Sequence, residues 1–167
     1  KFCFSGALEK VIVWNLRNNS MVCALNDTDN NSTVTVISLS PNGREIAVGY
    51  EDGKVRVWDW VGIMVTAQST SEKLKAVAEN TASVLLTGHK SSVTCITWHK
   101  SSTKLCSGAA DGHIIVWDWI EQRGICRLIG HTGSITQVAF LQAKDHTETS
   151  IEDDPSKSSS SSEFKSH

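Results

Sequence analysis

One stretch of this chain occurs twice with its parts in the same order. Gly49 to Trp60 reads GYEDGKVRVWDW, and Gly108 to Trp119 reads GAADGHIIVWDW. A looser copy from Gly6 to Asn15 reads GALEKVIVWN. β-branched runs precede the two better copies, from Val34 to Leu39 and from Val93 to Trp98. A third such run, Ile135 to Phe140, follows Gly130-His131 just as Val93 follows Gly88-His89. Trp14 and Trp58 are 44 residues apart, and Gly88 and Gly130 are 42 apart. A chain that repeats at this period builds its core by stacking like units, because one unit cannot bury its own apolar face.

Each unit reads as short strands punctuated by turns. In the third unit the strands are expected near 93–98, 104–108, 113–117 and 125–129. Ser40-Pro41-Asn42-Gly43 is a turn, with proline presetting φ and glycine accepting a positive one. Asp52-Gly53 and Asp111-Gly112 predict two-residue hairpin loops. A repeat of roughly 40–45 residues carrying Gly-His and Trp-Asp pairs is a four-stranded propeller blade of the WD40 kind. The expected fold is therefore all-β: the end of one blade, two full blades and the start of a fourth, over residues 1–143. Closed propellers need roughly 4–8 blades. This span is thus expected to be part of a longer polypeptide, with open strand edges at both ends.

Two segments depart from the period. Trp58 to Gly88 spans 30 residues where Trp117 to Gly130 spans 13, which places an insertion at about 62–82. Within it, Ser71 to Glu79 offers an N-cap and apolar residues at helical spacing, and reads as a surface helix or loop. Residues 144–167 hold six acids and three bases, and seven of the last twelve residues are serine. Such a composition predicts a disordered tail. Ser150 precedes acidic residues in the manner of an acid-directed phosphorylation site, although a solvated linker is the preferred reading.

A formal net charge of −2 gives no strongly basic nucleic-acid surface. No run approaches the ~18 apolar residues of a membrane helix, and no secretory leader is visible. The five cysteines are not in CxxC spacing, so neither a zinc ribbon nor a disulfide framework is indicated; they read as buried free thiols. Asn-x-Ser/Thr matches at Asn18, Asn26, Asn30 and Asn31 are set aside for want of a leader. His99, His113 and His146 lack ligand-spaced partners, so no metal is expected. No phosphate-cradling loop or other cofactor motif is present. Lys54 and Arg56 alternate with Val55 and Val57, predicting a solvated strand face.

His89, Ser107 and Asp111 are the residue types of a nucleophilic triad. With Trp117 they are also the four positions of a buried hydrogen-bonded network that ties a blade's strands to its loops. No G-x-S-x-G elbow exposes the serine. The structural network is therefore the preferred reading, and no catalytic residue is assigned. Aligned on Asp52 and Trp58, the second unit has Asn30 and Val48 in place of the histidine and serine. It is expected to rely on apolar packing by Val34, Val36, Ile46, Val55 and Val57. The first unit has Glu9 at the aspartate position and a turn one residue shorter.

Three stretches resemble the WD-repeat subunit of the U3 small nucleolar ribonucleoprotein, a component of the small-subunit processome. They are Glu9 to Arg17; Ser40 to Gly43 with Ile46 to Val57; and Asp111 to Trp117 with Arg127 to His131 and Ile135 to Leu141. The resemblance implies a non-enzymatic nucleolar scaffold in pre-rRNA processing. Its expected partners are processome proteins and, within a complex, U3 small nucleolar RNA and pre-rRNA. No membrane, cofactor or small-molecule substrate is implied. The alternative is a cytoplasmic WD-repeat adaptor or substrate receptor in a signalling or ubiquitin-ligase complex; a hydrolase built on His89 and Ser107 ranks behind both.

Overall fold

The computed structural model describes residues 1–26, 31–67 and 83–141. Among these residues eleven strands form three antiparallel sheets in chain order. The first holds β1 (Phe2–Ala7), β2 (Lys10–Asn15) and β3 (Ser20–Asn26). The second holds β4 (Val34–Leu39), β5 (Glu45–Tyr50), β6 (Val55–Asp59) and β7 (Ser83–Leu86). The third holds β8 (Val93–Trp98), β9 (Lys104–Ala109), β10 (Ile114–Asp118) and β11 (Arg123–Leu128). Each sheet is a meander, as hairpin-linked strands give, and the sheets pack face to face as propeller blades.

The core lies between blades. Val11, Val13, Cys23 and Leu25 of the first meet Ile46, Val48, Tyr50 and Trp58 of the second. Ala47, Val55 and Val57 on the second blade's other face meet Val93, Ile96, Leu105 and Trp117 of the third. Alternate residues of β6 thus enter different cores, and both faces of the blade are covered. Arg56 is consequently buried, which corrects the solvated face expected from its alternation with valines. Its Nη1 donates to Ser83 Oγ at 2.8 Å and its guanidinium lies 5.8 Å from the Trp58 ring centroid.

Both Asp-Gly hairpins have three-residue loops, not the two-residue loops expected. Tyr50 N–H donates to Lys54 O and Gly53 N–H to Tyr50 O, with Gly53 at φ 86°. Ala109, His113 and Gly112 repeat the pattern, with Gly112 at φ 79°. This is the turn plus left-handed residue that makes a bulged hairpin, and the positive φ explains the glycine. The first blade's turn is one residue shorter, and there Leu8 takes the positive φ, at 53°.

The helix α1 (Trp60–Ala67) was not expected. It leaves β6 directly, and Asp59 Oδ1 caps it by accepting the Gly62 N–H at 3.0 Å. Trp60 and Ile63 are buried in the first core, with Phe2 and Phe4 set edge-on to the Trp60 ring. The helix expected within 71–79 and the tail from 144, including Ser150, lie outside the described residues. So does Asn30.

Ile135 to Phe140 was expected to be a strand and carries no ladder. The run has no neighbouring strand among the described residues, and backbone pairing is what defines a strand. Its ends are nonetheless fixed: Ile135 is buried, and the Phe140 ring stands edge-on to His99 at 5.3 Å.

Candidate functional site

The polar centre of the third blade joins β9, β10 and the loop before β8. Ser107 is fully buried on β9 and pairs in register with Ile115. Its Oγ accepts the Trp117 indole N–H at 2.8 Å and lies 2.8 Å from His89 Nε2. A serine hydroxyl carries one proton and two lone pairs, so after accepting from Trp117 it can still donate to His89 Nε2 or accept from it, the ring tautomer deciding which. Donation by the serine goes with the neutral ring that has its proton on Nδ1. Burial holds the His89 pKa below its ordinary value, which favours that neutral ring.

Asp111 is not hydrogen-bonded into this group. Its Oδ1 accepts the His113 N–H at 3.0 Å, and its Oδ2 lies 3.5 Å from His113 Nδ1. Partial burial pushes its pKa up, but the His113 N–H, the His113 ring, the Lys90 N–H and His89 outweigh this and hold it below the usual value. His89 Nδ1 and Asp111 Oδ2 are both buried without a hydrogen-bond partner among the described residues. The structure therefore brings together His89, Ser107 and Trp117, with Asp111 alongside on His113. With no exposed surface, Ser107 offers its hydroxyl to no substrate.

The other blades show how the pattern is kept or lost. In the second, Val48 occupies the serine position opposite Arg56, and the buried Trp58 Nε1 has no partner among the described residues. In the first, Trp14 Nε1 donates to Ser5 Oγ at 2.9 Å, and Ser5 pairs with Ile12 as Ser107 pairs with Ile115. Sequence reading missed Ser5, because the shorter turn puts it nine residues before its tryptophan instead of ten. The same bond with the turn length allowed to vary would have found it.

A second repeated device joins the blades. Thr35 and Thr94 sit at bulges in β4 and β8. Thr35 Oγ1 faces Gly49 O at 3.0 Å on its own blade and Val93 O at 2.5 Å on the next. Thr94 Oγ1 faces Gly108 O at 3.1 Å and Ile135 O in the same way. A Cβ on Gly49 would lie 2.7 Å from Val93 Cγ1, one on Gly108 2.5 Å from Ile135 Cγ2, and one on Gly6 2.9 Å from Val34 Cγ1. Each blade thus offers a glycine notch that receives the leading apolar residue of the next. Among the described residues, no three His, Cys, Asp or Glu side chains gather as metal ligands.

Strand order, blade-on-blade packing and the repeated Trp–Ser bond define blades of a propeller. This chain carries two stretches that match the profile of the WD domain, G-beta repeat, at residues 21–59 and 80–118. It is 30% identical over 127 residues to the ribosome biogenesis protein WDR12 homolog of Drosophila erecta, and 29% identical to that of Drosophila yakuba. Each match covers 76% of this chain, which spans 30% of the relative's length. Protein HIRA of Caenorhabditis elegans is 26% identical over 117 residues, covering 65% of this chain and 12% of that protein. A chain in a crystal structure of the mitotic checkpoint complex superposes with a TM-score of 0.58 at 26% identity, over 78% of this chain and 34% of that one.

Proposed function

We propose that this chain is a non-enzymatic interaction scaffold in ribosome assembly, with residues 1–143 as its propeller portion and 144–167 as an appended tail. The observation that carries the reading is the likeness to proteins named for ribosome biogenesis, which runs through most of the blades. The geometry accords with it. The residues that resemble a triad are committed to internal bonds, and Ser107 is sealed from solvent. What remains at the surface are loops and sheet edges, the parts that a propeller presents to neighbours.

The finer assignment is to the small-subunit processome in the nucleolus, beside processome proteins, with U3 small nucleolar RNA and pre-rRNA held through the complex. It rests on the resemblance of Glu9 to Arg17, Ile46 to Val57 and Asp111 to Trp117. The test is crosslinking of the tagged protein in cells followed by sequencing of co-purified RNA. Enrichment of U3 RNA supports this setting; other pre-ribosomal RNA without U3 keeps ribosome assembly and removes the small-subunit assignment. Cytoplasmic signal with neither RNA favours the adaptor reading, to which the likeness to a chain of the mitotic checkpoint complex lends support.

A further inference from the structure

The turn between β4 and β5 is built again between β8 and β9. Ser40 N–H donates to Glu45 O and Gly43 N–H to Ser40 O, both at 2.9 Å; His99, Lys104 and Ser102 repeat both bonds one blade on. Asn42 and Ser101 thus hold one position, and Gly43 and Ser102 the left-handed one, at φ 72° and 56°. The two turns are also joined, for Asn42 N–H donates to the buried Ser102 Oγ at 3.2 Å. They differ in chemistry. Of the two, the second blade's turn carries a side-chain amide followed by glycine, and Asn42-Gly43 is the chain's one Asn-Gly pair.

Glycine matters there because it puts no side chain beside the backbone nitrogen that can attack the amide. A Cβ on Gly43 would meet nothing within 4 Å, and Asn42 itself is exposed. The Asn42 Oδ1 accepts the Ser40 hydroxyl at 2.6 Å and the Arg44 N–H at 2.9 Å. The second bond spans the Gly43 peptide and so folds the side-chain carbonyl back over Gly43 N. Ser40 is held for its part by burial and by accepting the Glu45 N–H at 2.9 Å. Two donors fixed on one carbonyl oxygen stabilise the negative charge that develops there when a nucleophile adds to its carbon.

We propose that Asn42 is a self-modification site, at which the folded turn promotes its own deamidation. The Gly43 N–H first leaves Ser40 O, which local opening of an exposed turn allows. Gly43 N then gives its proton to hydroxide and bonds to Asn42 Cγ, with charge gathering on Oδ1 between Ser40 and Arg44. The Cγ–Nδ2 bond breaks, and ammonia leaves with a proton taken from water. Solvent water opens the five-membered imide at either carbonyl, giving aspartate or isoaspartate. One water is consumed, one ammonia is released, and nothing is oxidised or reduced. Aspartate places its new carboxylate on the Ser40 hydroxyl, whose other neighbour is Glu45 Oε2 at 2.9 Å. One hydroxyl proton cannot serve two anions, so the turn is pushed outward and its N–H drawn away from Ser102. Isoaspartate lengthens the backbone at the same point. The modification therefore loosens the joint between the second and third blades as the protein ages, independently of any role in ribosome assembly.

The test is incubation of the full 167-residue chain in mildly alkaline buffer, folded and in urea, followed by peptide mapping and an isoaspartyl methyltransferase assay. Expected is conversion at Asn42 in the folded chain at least as fast as in urea. Ser40→Ala slows it at least threefold in the folded chain and leaves the rate in urea unchanged. Slower conversion in the folded chain than in urea, or an undiminished folded rate in Ser40→Ala, overturns the proposal. If Ser40→Ala does not fold, the folded and unfolded rates of the unmodified chain decide.

Discussion

Val48 stands opposite Arg56 where, one blade on, Ser107 stands opposite Ile115, and so the Trp58 indole lacks the oxygen that Trp117 possesses. The same tryptophan position is therefore held by a hydrogen bond in one blade and by packing in the next. Removing the oxygen has a cost set by burial.

Ser107→Ala orphans the Trp117 N–H and leaves His89 Nε2 without its partner, both inside the core. A loss of about 2–3 kcal/mol is expected, since an unsatisfied buried polar group costs about 1–3 kcal/mol. Ser5→Ala breaks the same bond beside Trp14, which is 37% exposed, and water can replace the oxygen. It should cost less than about 1 kcal/mol. Urea unfolding of the two variants measures the contrast; equal losses would refute the role of burial.

Stability should fall on mild acidification. The folded His89 pKa lies below the ordinary 6.5, so its contribution is present above that value and is lost as pH falls from 6.5 through the folded pKa. The lowered Asp111 pKa acts likewise at lower pH, below 3.8. His89→Gln should flatten the fall in urea midpoint that begins near pH 6.5. An unchanged slope would assign the acid sensitivity to another group.

Gly49→Ala and Gly108→Ala place a methyl group within 2.7 Å of the following blade's side chains. Each should cost about 1–3 kcal/mol through overpacking. Gly108→Ala should also release residues 135–140 to protease earlier than the rest of the chain. Gly43 has φ 72° and open space around it, so its alanine variant should lose only the left-handed penalty of about 1–2 kcal/mol and leave that segment protected.

Leu8 holds φ 53° with 74% of its surface exposed, so it carries left-handed strain without a packing return. Leu8→Gly should raise stability by about 0.5–1 kcal/mol, the relieved strain less the added chain entropy. A fall in thermal midpoint would show that the leucine makes contacts in the folded chain that matter more than its backbone.

Thiol labelling separates the cysteines. Burial pushes Cys23 and Cys106 up to about 11, and neither should react at pH 8 before unfolding. Cys3 and Cys126 are exposed and should label in the folded chain. Early modification of Cys106 would mean that the third blade opens locally.

The repeat made much of the fold legible. The strand positions of the third unit, the shorter first turn and the loss of serine at Val48 follow from aligning the copies. What escaped did so for local reasons. α1 is apolar but for Thr66 and follows directly on a strand sequence, so no polar face or break announced it. Arg56 alternates with valines as a surface residue does, but alternation signals solvent only where one face of a sheet is wet, and here neighbouring blades cover both. Ser5 was hidden by a one-residue change in turn length. Ile135 to Phe140 has the composition of a strand, yet pairing depends on a neighbour that its own residues do not specify.

The glycine notch, its apolar plug and the threonine strap recur at successive joints without being redrawn for each. A joint of standard parts makes the blades interchangeable, so a unit can be duplicated or removed and its neighbours will still fit. The array can lengthen by copying, and substitutions such as the loss of serine at Val48 can accumulate inside one unit while the couplings between units stay the same.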